Sequence, residues 1–269
     1  MIYIGSIFIY INKGMVQQNM NVLAFFAHPD DETMLVGGVL ALLAQSGASV
    51  HYLCATRGEG GEVGEPPVCA RQQLGEIREQ ELVCAVQALN GRSLTFLGYI
   101  DPTVGPGEEL YAYTDNLTML AGQVAASIRQ FAPDVLITHG SNGEYGHPAH
   151  VVTHLAAKVA VETFGAGAPL LYTVSAVFPG HPRPRLANKD DVAHLVVDIQ
   201  ATLSQKEQAA LCHSTQHALF VRRSSQEQGR LLTIPEVLLN VESLHRVSPP
   251  LNGHPQDQIA RILEPWLVR

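Results

Sequence analysis

No cluster of Lys or Arg stands out in this 269-residue sequence, where 17 basic residues face 25 acidic ones for a formal charge of −8. That balance lacks the electrostatic footprint of a nucleic-acid or anionic-lipid binder. Long hydrophobic runs are missing too. The apolar stretch 1–11, rich in Ile and Tyr, is shorter than the ~20 residues of a bilayer span, and no basic segment precedes it as in a signal peptide. The four cysteines (Cys54, Cys69, Cys84 and Cys212) form no C-x-x-C pair, which fits reduced thiols in a cytoplasmic protein. Neither an internal repeat nor a linker divides the chain. What remains is 46% hydrophobic and 16% charged, a globular composition long enough for one α/β domain and short for two. Residues 1–20 read as an N-terminal extension and 21–269 as the domain. Small α/β enzymes are often symmetric assemblies, so a homo-oligomer is the corresponding expectation.

From residue 21 onward, strand-like and helix-like segments alternate. Strands are expected at 21–27, 49–56, 94–99, 134–138, 170–177 and 194–199. Helices are expected at 31–46, 69–90, 114–131, 148–164 and 201–212, several of them followed by Gly as a C-terminal stop. This alternation implies a single Rossmann-like, doubly wound domain: a mostly parallel sheet with helices on both faces. Residues 217–269 carry little pattern beyond the turn signals Pro249-Pro250 and Asn252-Gly253.

Two segments carry chemistry. Ala27-His28-Pro29-Asp30-Asp31-Glu32 follows the first strand, and Tyr145-Gly146-His147-Pro148-Ala149-His150 follows the fourth. In a sheet of order 3-2-1-4-5 these strands are neighbours, and the crevice at their carboxyl ends is where such folds bind ligands. A catalytic zinc takes three ligands from His and Asp/Glu and leaves one position open to water, whose pKa falls to about 7. A free carboxylate beside the ligands can then accept the proton, and a Tyr or His opposite can stabilise the oxyanion or protonate the leaving group. The plainer alternative for each segment is a helix start, with Asp as cap and Pro in the first turn. The coincidence of both at neighbouring strand ends favours the metal site. The Gly-rich stretch 58–64 has no P-loop Lys, and the first strand-helix turn has no Gly-rich fingerprint, so nucleotide binding is disfavoured.

The A-H-P-D-D-E and Y-G-H-P-x-H runs resemble the PIG-L/LmbE-like family of N-acetylglucosaminyl deacetylases, which includes enzymes of mycothiol and bacillithiol synthesis. Thr56-Arg57-Gly58-Glu59, Arg78-Glu79, segment 97–101, and a late helix with Lys206 and His213-Ser214-Thr215-Gln216 extend the likeness. The resemblance implies a zinc (or iron(II)) enzyme that removes an N-acyl group, acetyl above all, from an amino-sugar substrate. It implies His28, Asp31 and His150 as metal ligands and Asp30 as general base. His147 would be general acid or oxyanion stabiliser, and Tyr145 would polarise the acyl carbonyl. Glu59, Arg78 and Asp101 would contact substrate; their plain alternatives are a solvated loop acid for Glu59 and a surface salt bridge for Arg78. One position departs from the family: Ala149 stands where an Asp usually orients the neighbouring imidazole, which weakens the acid-base role of His147. Two alternatives keep the same metal chemistry or drop the catalysis: an amidase on a thiol-sugar conjugate or antibiotic intermediate, or a metal-containing binding protein. His51, His139, His154, His194 and His217 read as ordinary core, helix or surface residues. His181 and Arg183, in a Pro-rich loop, could line a sugar pocket.

Overall fold

The computed structural model describes residues 20–268. The expected extension over 1–20 therefore lies outside the described residues except for Met20, which is buried in the core.

The chain runs β1 (Asn21–Phe26), α1 (Asp31–Gln45), β2 (Ser49–Thr56), α2 (Leu74–Ala88), β3 (Ser93–Tyr99), α3 (Leu117–Phe131) and β4 (Val135–Thr138). A short α4 (Gly143–Gly146) leads into α5 (Pro148–Phe164), then β5 (Leu170–Val174), β6 (Ala176–Val177), β7 (Asn188–Val192), β8 (Leu195–Asp198) and α6 (Leu203–Cys212). The C-terminal part adds α7 (His217–Gln228), α8 (Ile234–Val237), β9 (Val241–Ser248) and α9 (Gln258–Leu263).

The main sheet has the order β3-β2-β1-β4-β5-β9-β8. Its first five strands are parallel, in the expected 3-2-1-4-5 order, and β9 is antiparallel to both β5 and β8. Successive residues of β1 serve opposite faces. Val22, Ala24 and Phe26 join the core formed with α1, α2, α6 and α9, whereas Leu23 and Phe25 join the core under α3 and α5. A strand buried on both faces reads as a continuous apolar run, which is how β1 and β4 appear in the sequence.

Some boundaries differ from the sequence reading. The helix expected from residue 69 begins at Leu74, after a 3-10 turn at Arg71–Gln73. Leu74 is the first buried residue of that stretch, and residues 70–73 before it are exposed. The run 170–177 breaks at Ser175, which adopts φ 50°, so β6 leaves the main sheet and pairs with β7.

The cysteines require a correction. Cys84 on α2 and Cys212 at the end of α6 form a disulfide with their Cα atoms 5.8 Å apart, leaving Cys54 and Cys69 free. The two helices pack together on the same face of the sheet, a proximity that a separation of 128 residues conceals. A second cross-link on that face is a buried ion pair, Lys206 Nζ to Glu242 Oε1 at 2.7 Å. The Glu242 carboxylate also accepts from the amides of Gly38 and Val39, tying α1 and α6 to β9. Among the described residues, no helix is long and apolar enough to cross a membrane.

Candidate metal centre

β1 and β4 pair in parallel, with Phe25 opposite Thr138, so the turns beyond them open onto one crevice at the carboxyl edge of the sheet.

The turn after β1 is not an ordinary helix start. Asp30 occupies the N-cap of α1, but its side chain makes no capping bond. Its φ of 119° lies in a region costly for any residue with a Cβ, a kind of strain that collects at functional sites. The Asp30 carboxylate meets Arg78, with Oδ2 3.1 Å from Nη2. The next acid braces the turn: Asp31 Oδ2 accepts from the His28 amide at 2.8 Å. Glu32 Oε2 accepts from the Asp30 amide at 3.1 Å, and its other oxygen faces His213 Nε2 at 3.3 Å.

The turn after β4 is organised by a residue the sequence reading passed over. Glu144, buried and at φ 59°, accepts hydrogen bonds on both carboxylate oxygens. Oε2 takes the Nδ1 protons of His150 (2.6 Å) and His139 (3.0 Å), and Oε1 takes Gly140 N (3.0 Å) and Asn188 Nδ2 (3.2 Å). Asn188, on β7, returns its carbonyl to the Glu144 amide at 3.0 Å. Only glycine fits at 140, because a Cβ there would stand 2.0 Å from the Asn188 carboxamide.

The imidazoles of His139, His150 and His147 stack in that order, with ring centres 3.9 Å and 4.5 Å apart. His28 stands beside them, 5.3 Å from His150 and 5.0 Å from His147 between ring centres. Two trios place one ligand atom per residue within 4.8 Å of one another: His28, His147 and His150, and Asp31, His139 and His150. His150 belongs to both. Asp31 links them further, its oxygens 3.3 Å from His28 Nδ1 and 3.3 Å from His150 Nε2.

Hydrogen bonding separates these candidates. His139 Nε2 accepts the Ala27 amide at 3.1 Å, so its lone pair is engaged and its proton sits on Nδ1, toward Glu144. His139 is a buried core residue, as expected, but its Nε2 also lies 3.3 Å from Asp31. His154, buried on α5, approaches the His139 carbonyl with Nδ1 at 3.0 Å. His147 caps α5, its Nδ1 accepting from Ala149 N at 3.2 Å, which leaves Nε2 as the protonated, free nitrogen. By contrast, His28 Nε2 is buried without a well-directed hydrogen bond, although Asp101 Oδ1 lies 3.2 Å away.

The donor set fits a divalent cation. Glu144, ringed by donors, acts only as an acceptor, so His150 must present Nε2 to an Asp31 oxygen that is itself an acceptor. A proton or a cation has to lie between them. Nitrogen and carboxylate donors suit zinc and also iron(II).

The titrations carry the same tension. Burial disfavours the charged form of His28, but Asp101 and Asp31 overcome it and raise the pKa to about 9. Asp31 and Glu144 likewise outweigh burial at His150 and raise it to about 10. Asp31 is held well below the usual carboxylate range: burial would raise it, but the charge of His150 outweighs that. Burial and the Asp31 charge lift Asp30 to about 6 against the opposing pull of Arg78. His147 falls to about 3 through burial and the positive character of His150 and His28. Tyr145 is 56% exposed at the mouth. Its phenol is kept protonated by the shelter of the site and the carboxylates of Asp31 and Asp30.

Of the expected substrate contacts, Asp101 stands over His28, and Glu59 accepts from the Asp101 amide at 3.1 Å. Arg78 is not a surface salt bridge. It is 3% exposed and donates to the Pro29 and Gly58 carbonyls as well as to Asp30. Gly58 (φ 67°) makes room for it, since a Cβ there would fall 2.1 Å from Arg78 Nη1. Further back, Glu81 accepts from Ser214 Oγ and Thr215 N, anchoring the segment that presents His213. His181 and Arg183 line a separate cavity of about 70 Å³ with Met34, Leu186 and Val237.

The model of the PIG-L family, GlcNAc-PI de-N-acetylase, matches residues 23–161. A 1D-myo-inositol 2-acetamido-2-deoxy-alpha-D-glucopyranoside deacetylase of Rhodococcus jostii is 33% identical over 239 residues, covering 72% of this chain and 81% of that one. Deacetylase 3 of the same description from Catenulispora acidiphila is 36% identical over 162 residues, which span 53% of this chain and 45% of that protein. Among solved structures, GalB, the 4-carboxy-2-hydroxymuconate hydratase of Pseudomonas putida, superposes with a TM-score of 0.60 at 19% identity, covering 88% of this chain and 99% of that one. The zinc-inhibited form of teicoplanin deacetylase Orf2 superposes with a TM-score of 0.55 at 18% identity, covering 86% and 100%. A hydratase and a deacetylase on one architecture show that the fold alone does not select the reaction.

Proposed function

The chain belongs to the PIG-L family of GlcNAc-PI de-N-acetylases, and from that premise we propose that it removes an N-acyl group, acetyl first of all, from an amino-sugar conjugate, using a zinc or iron(II) ion held by His28, Asp31 and His150. The observation that carries this reading is the convergence of two distant turns. Nitrogens of His28 and His150 come within 4.8 Å of each other, and Asp31 stands 3.3 Å from both imidazoles.

Bound there, a divalent cation would act as a Lewis acid on the acyl oxygen and make water nucleophilic near neutral pH. The protein's own groups do the rest. Asp30, lifted to about 6, is ionised near neutrality yet basic enough to take a proton from the attacking water. His147 is neutral, with Nδ1 engaged, so it offers Nε2–H to the oxygen that becomes negative as the carbonyl turns tetrahedral. The proton collected by Asp30 is then the one available to the departing amine. Tyr145 donates to the same oxygen from the mouth. Glu59 and Asp101 accept from sugar hydroxyls, while Arg78 positions Asp30 from behind.

The relatives' descriptions specify a 2-acetamido-2-deoxyglucopyranoside of inositol, so that conjugate is the first substrate to test. Zinc-loaded protein would be incubated with it, with simple N-acetylglucosaminides, and with acylated thiol-sugar and glycopeptide amides, and primary amine release followed. Turnover confined to the larger amides would move the assignment to that amidase class. Ala149 favours one other reading, a metal-containing binding protein. Stoichiometric zinc with no amine released from any of these amides would select it.

A further inference from the structure

We propose that Glu144 is the positioning residue of the metal centre, a buried carboxylate that sets the tautomer of His150 and His139 together and thereby decides which nitrogen faces the cation. This rests on the assignment of His150 as a ligand. Three observations lead to it. The carboxylate is fully buried, with Oε1 taking two N–H donors and Oε2 lying 2.6 and 3.0 Å from the Nδ1 atoms of His150 and His139. An ionised carboxylate can only accept, so both Nδ1 atoms carry protons. The tautomer of His139 is fixed independently, because its Nε2 accepts the Ala27 amide.

The consequence runs through the stacked rings. With Nδ1–H committed to Glu144, His150 turns Nε2 toward Asp31 Oδ1 at 3.3 Å. His139 donates to the same Glu144 oxygen, Oε2, and so helps keep that carboxylate from rotating. A carboxylate behind a metal-bound imidazole holds the ring and raises its basicity, and losing such a partner typically costs 10–100-fold in metal affinity. Glu144 is held in turn by Asn188, which bonds both its backbone amide and its side chain, and by its backbone at φ 59°. In this chain the position preceding His150 is Ala149, whose methyl side chain is packed into the core and has no polar atom to offer an imidazole. The carboxylate that serves the imidazoles comes instead from six residues upstream of His150.

The test is E144Q, nearly isosteric. Its amide presents one acceptor where the carboxylate has two, so it cannot receive both Nδ1–H groups on one oxygen edge and donate nothing. Zinc affinity is measured by competition with a chromophoric chelator, and the Co(II)-substituted protein is recorded by visible absorption. The expected result is a 10–100-fold loss of affinity with an altered Co(II) spectrum, and partial recovery of both in E144D. In zinc-loaded wild-type protein, ring 15N spectra should show His139 and His150 both protonated at Nδ1. Unchanged affinity and spectrum in E144Q, or Nε2 protonation of His150 in the wild type, would overturn the inference. The wild-type spectra keep it testable if E144Q does not fold. A wild-type protein that binds zinc but hydrolyses no amide would defeat the proposed activity and leave this assignment standing.

Discussion

His150 Nε2 stands 3.3 Å from Asp31 Oδ1, while the opposite nitrogen of the same ring is hydrogen-bonded to Glu144 at 2.6 Å. The imidazole is thus gripped between two carboxylates, and in the absence of a cation it retains a proton to a pKa of about 10. His28, between Asp31 and Asp101, retains its own to about 9.

Metal uptake must therefore displace protons. Below about pH 9 both imidazoles are charged in the metal-free protein, and each has to lose a proton to bind. Affinity should rise with pH, by up to about two decades per unit below that point, and level off above about pH 10. Calorimetry in buffers of different ionisation enthalpy would count the protons. Affinity that does not change between pH 6 and 8 would exclude His28 and His150 as a ligand pair.

Asp30 is adjacent to the proposed ligand Asp31, but its side chain is tied to Arg78 instead of capping the helix it precedes. D30N should keep zinc affinity within a few fold while lowering kcat by roughly 10²–10⁴. An active D30N would remove it from the role of base.

Arg78 pulls the Asp30 pKa down against burial and Asp31. In R78Q that pull is gone, so the Asp30 pKa should climb above about 6. A base with a higher pKa stays protonated to higher pH, so the acidic limb of kcat/KM should shift toward alkaline pH and activity at pH 6.5 should fall most. A profile that only scales down, with its limb unmoved, would mean Arg78 does not act through Asp30.

On the other face of the core, Lys206 and Glu242 are both 1% exposed in their side chains. K206M would leave a buried carboxylate with only two backbone amides. Stability should drop by about 3–5 kcal/mol, lowering the Tm by roughly 10 °C. The double variant K206M/E242L should recover much of the loss, and failure to recover would locate the effect in packing and not in charge.

The Cys84–Cys212 bridge has Cys84 exposed and closes a loop of 128 residues. Its reduction should cost about 2–4 kcal/mol by freeing the unfolded chain. Thiol titration in denaturant should find two free thiols before reduction and four after. Four at the outset, with a Tm indifferent to reductant, would contradict the bridge.

Much of the fold was legible because it depends on local pattern. The apolar runs at β1 and β4 and the helices ending at Gly47 and Gly165 announce a parallel sheet wherever they occur. The convergence of His28-Pro29-Asp30-Asp31 with His147-Pro148-Ala149-His150 was legible in the same way, since strand-end turns in such a sheet meet by topology. β9 escaped notice because its core positions include Glu242 and Ser243, polar residues made tolerable by Lys206 and by the Ala176 carbonyl. His139 carried a usable signal, being the first residue beyond β4, yet a lone histidine does not reveal its tautomer.

Sequence by itself determined the alternation of strands and helices from β1 to α5, the crevice between β1 and β4, and the residue types able to hold a cation there. Only the tertiary structure decided that Glu144 commands two imidazoles, that Arg78 is buried behind Asp30, that Cys84 meets Cys212, and that β9 enters the sheet between β5 and β8. The division has a physical cause. Periodicity and turn chemistry act between near neighbours in the chain, whereas the direction of a proton on a ring, the burial of a charge and the meeting of two sulfurs are set by atoms brought together from remote segments.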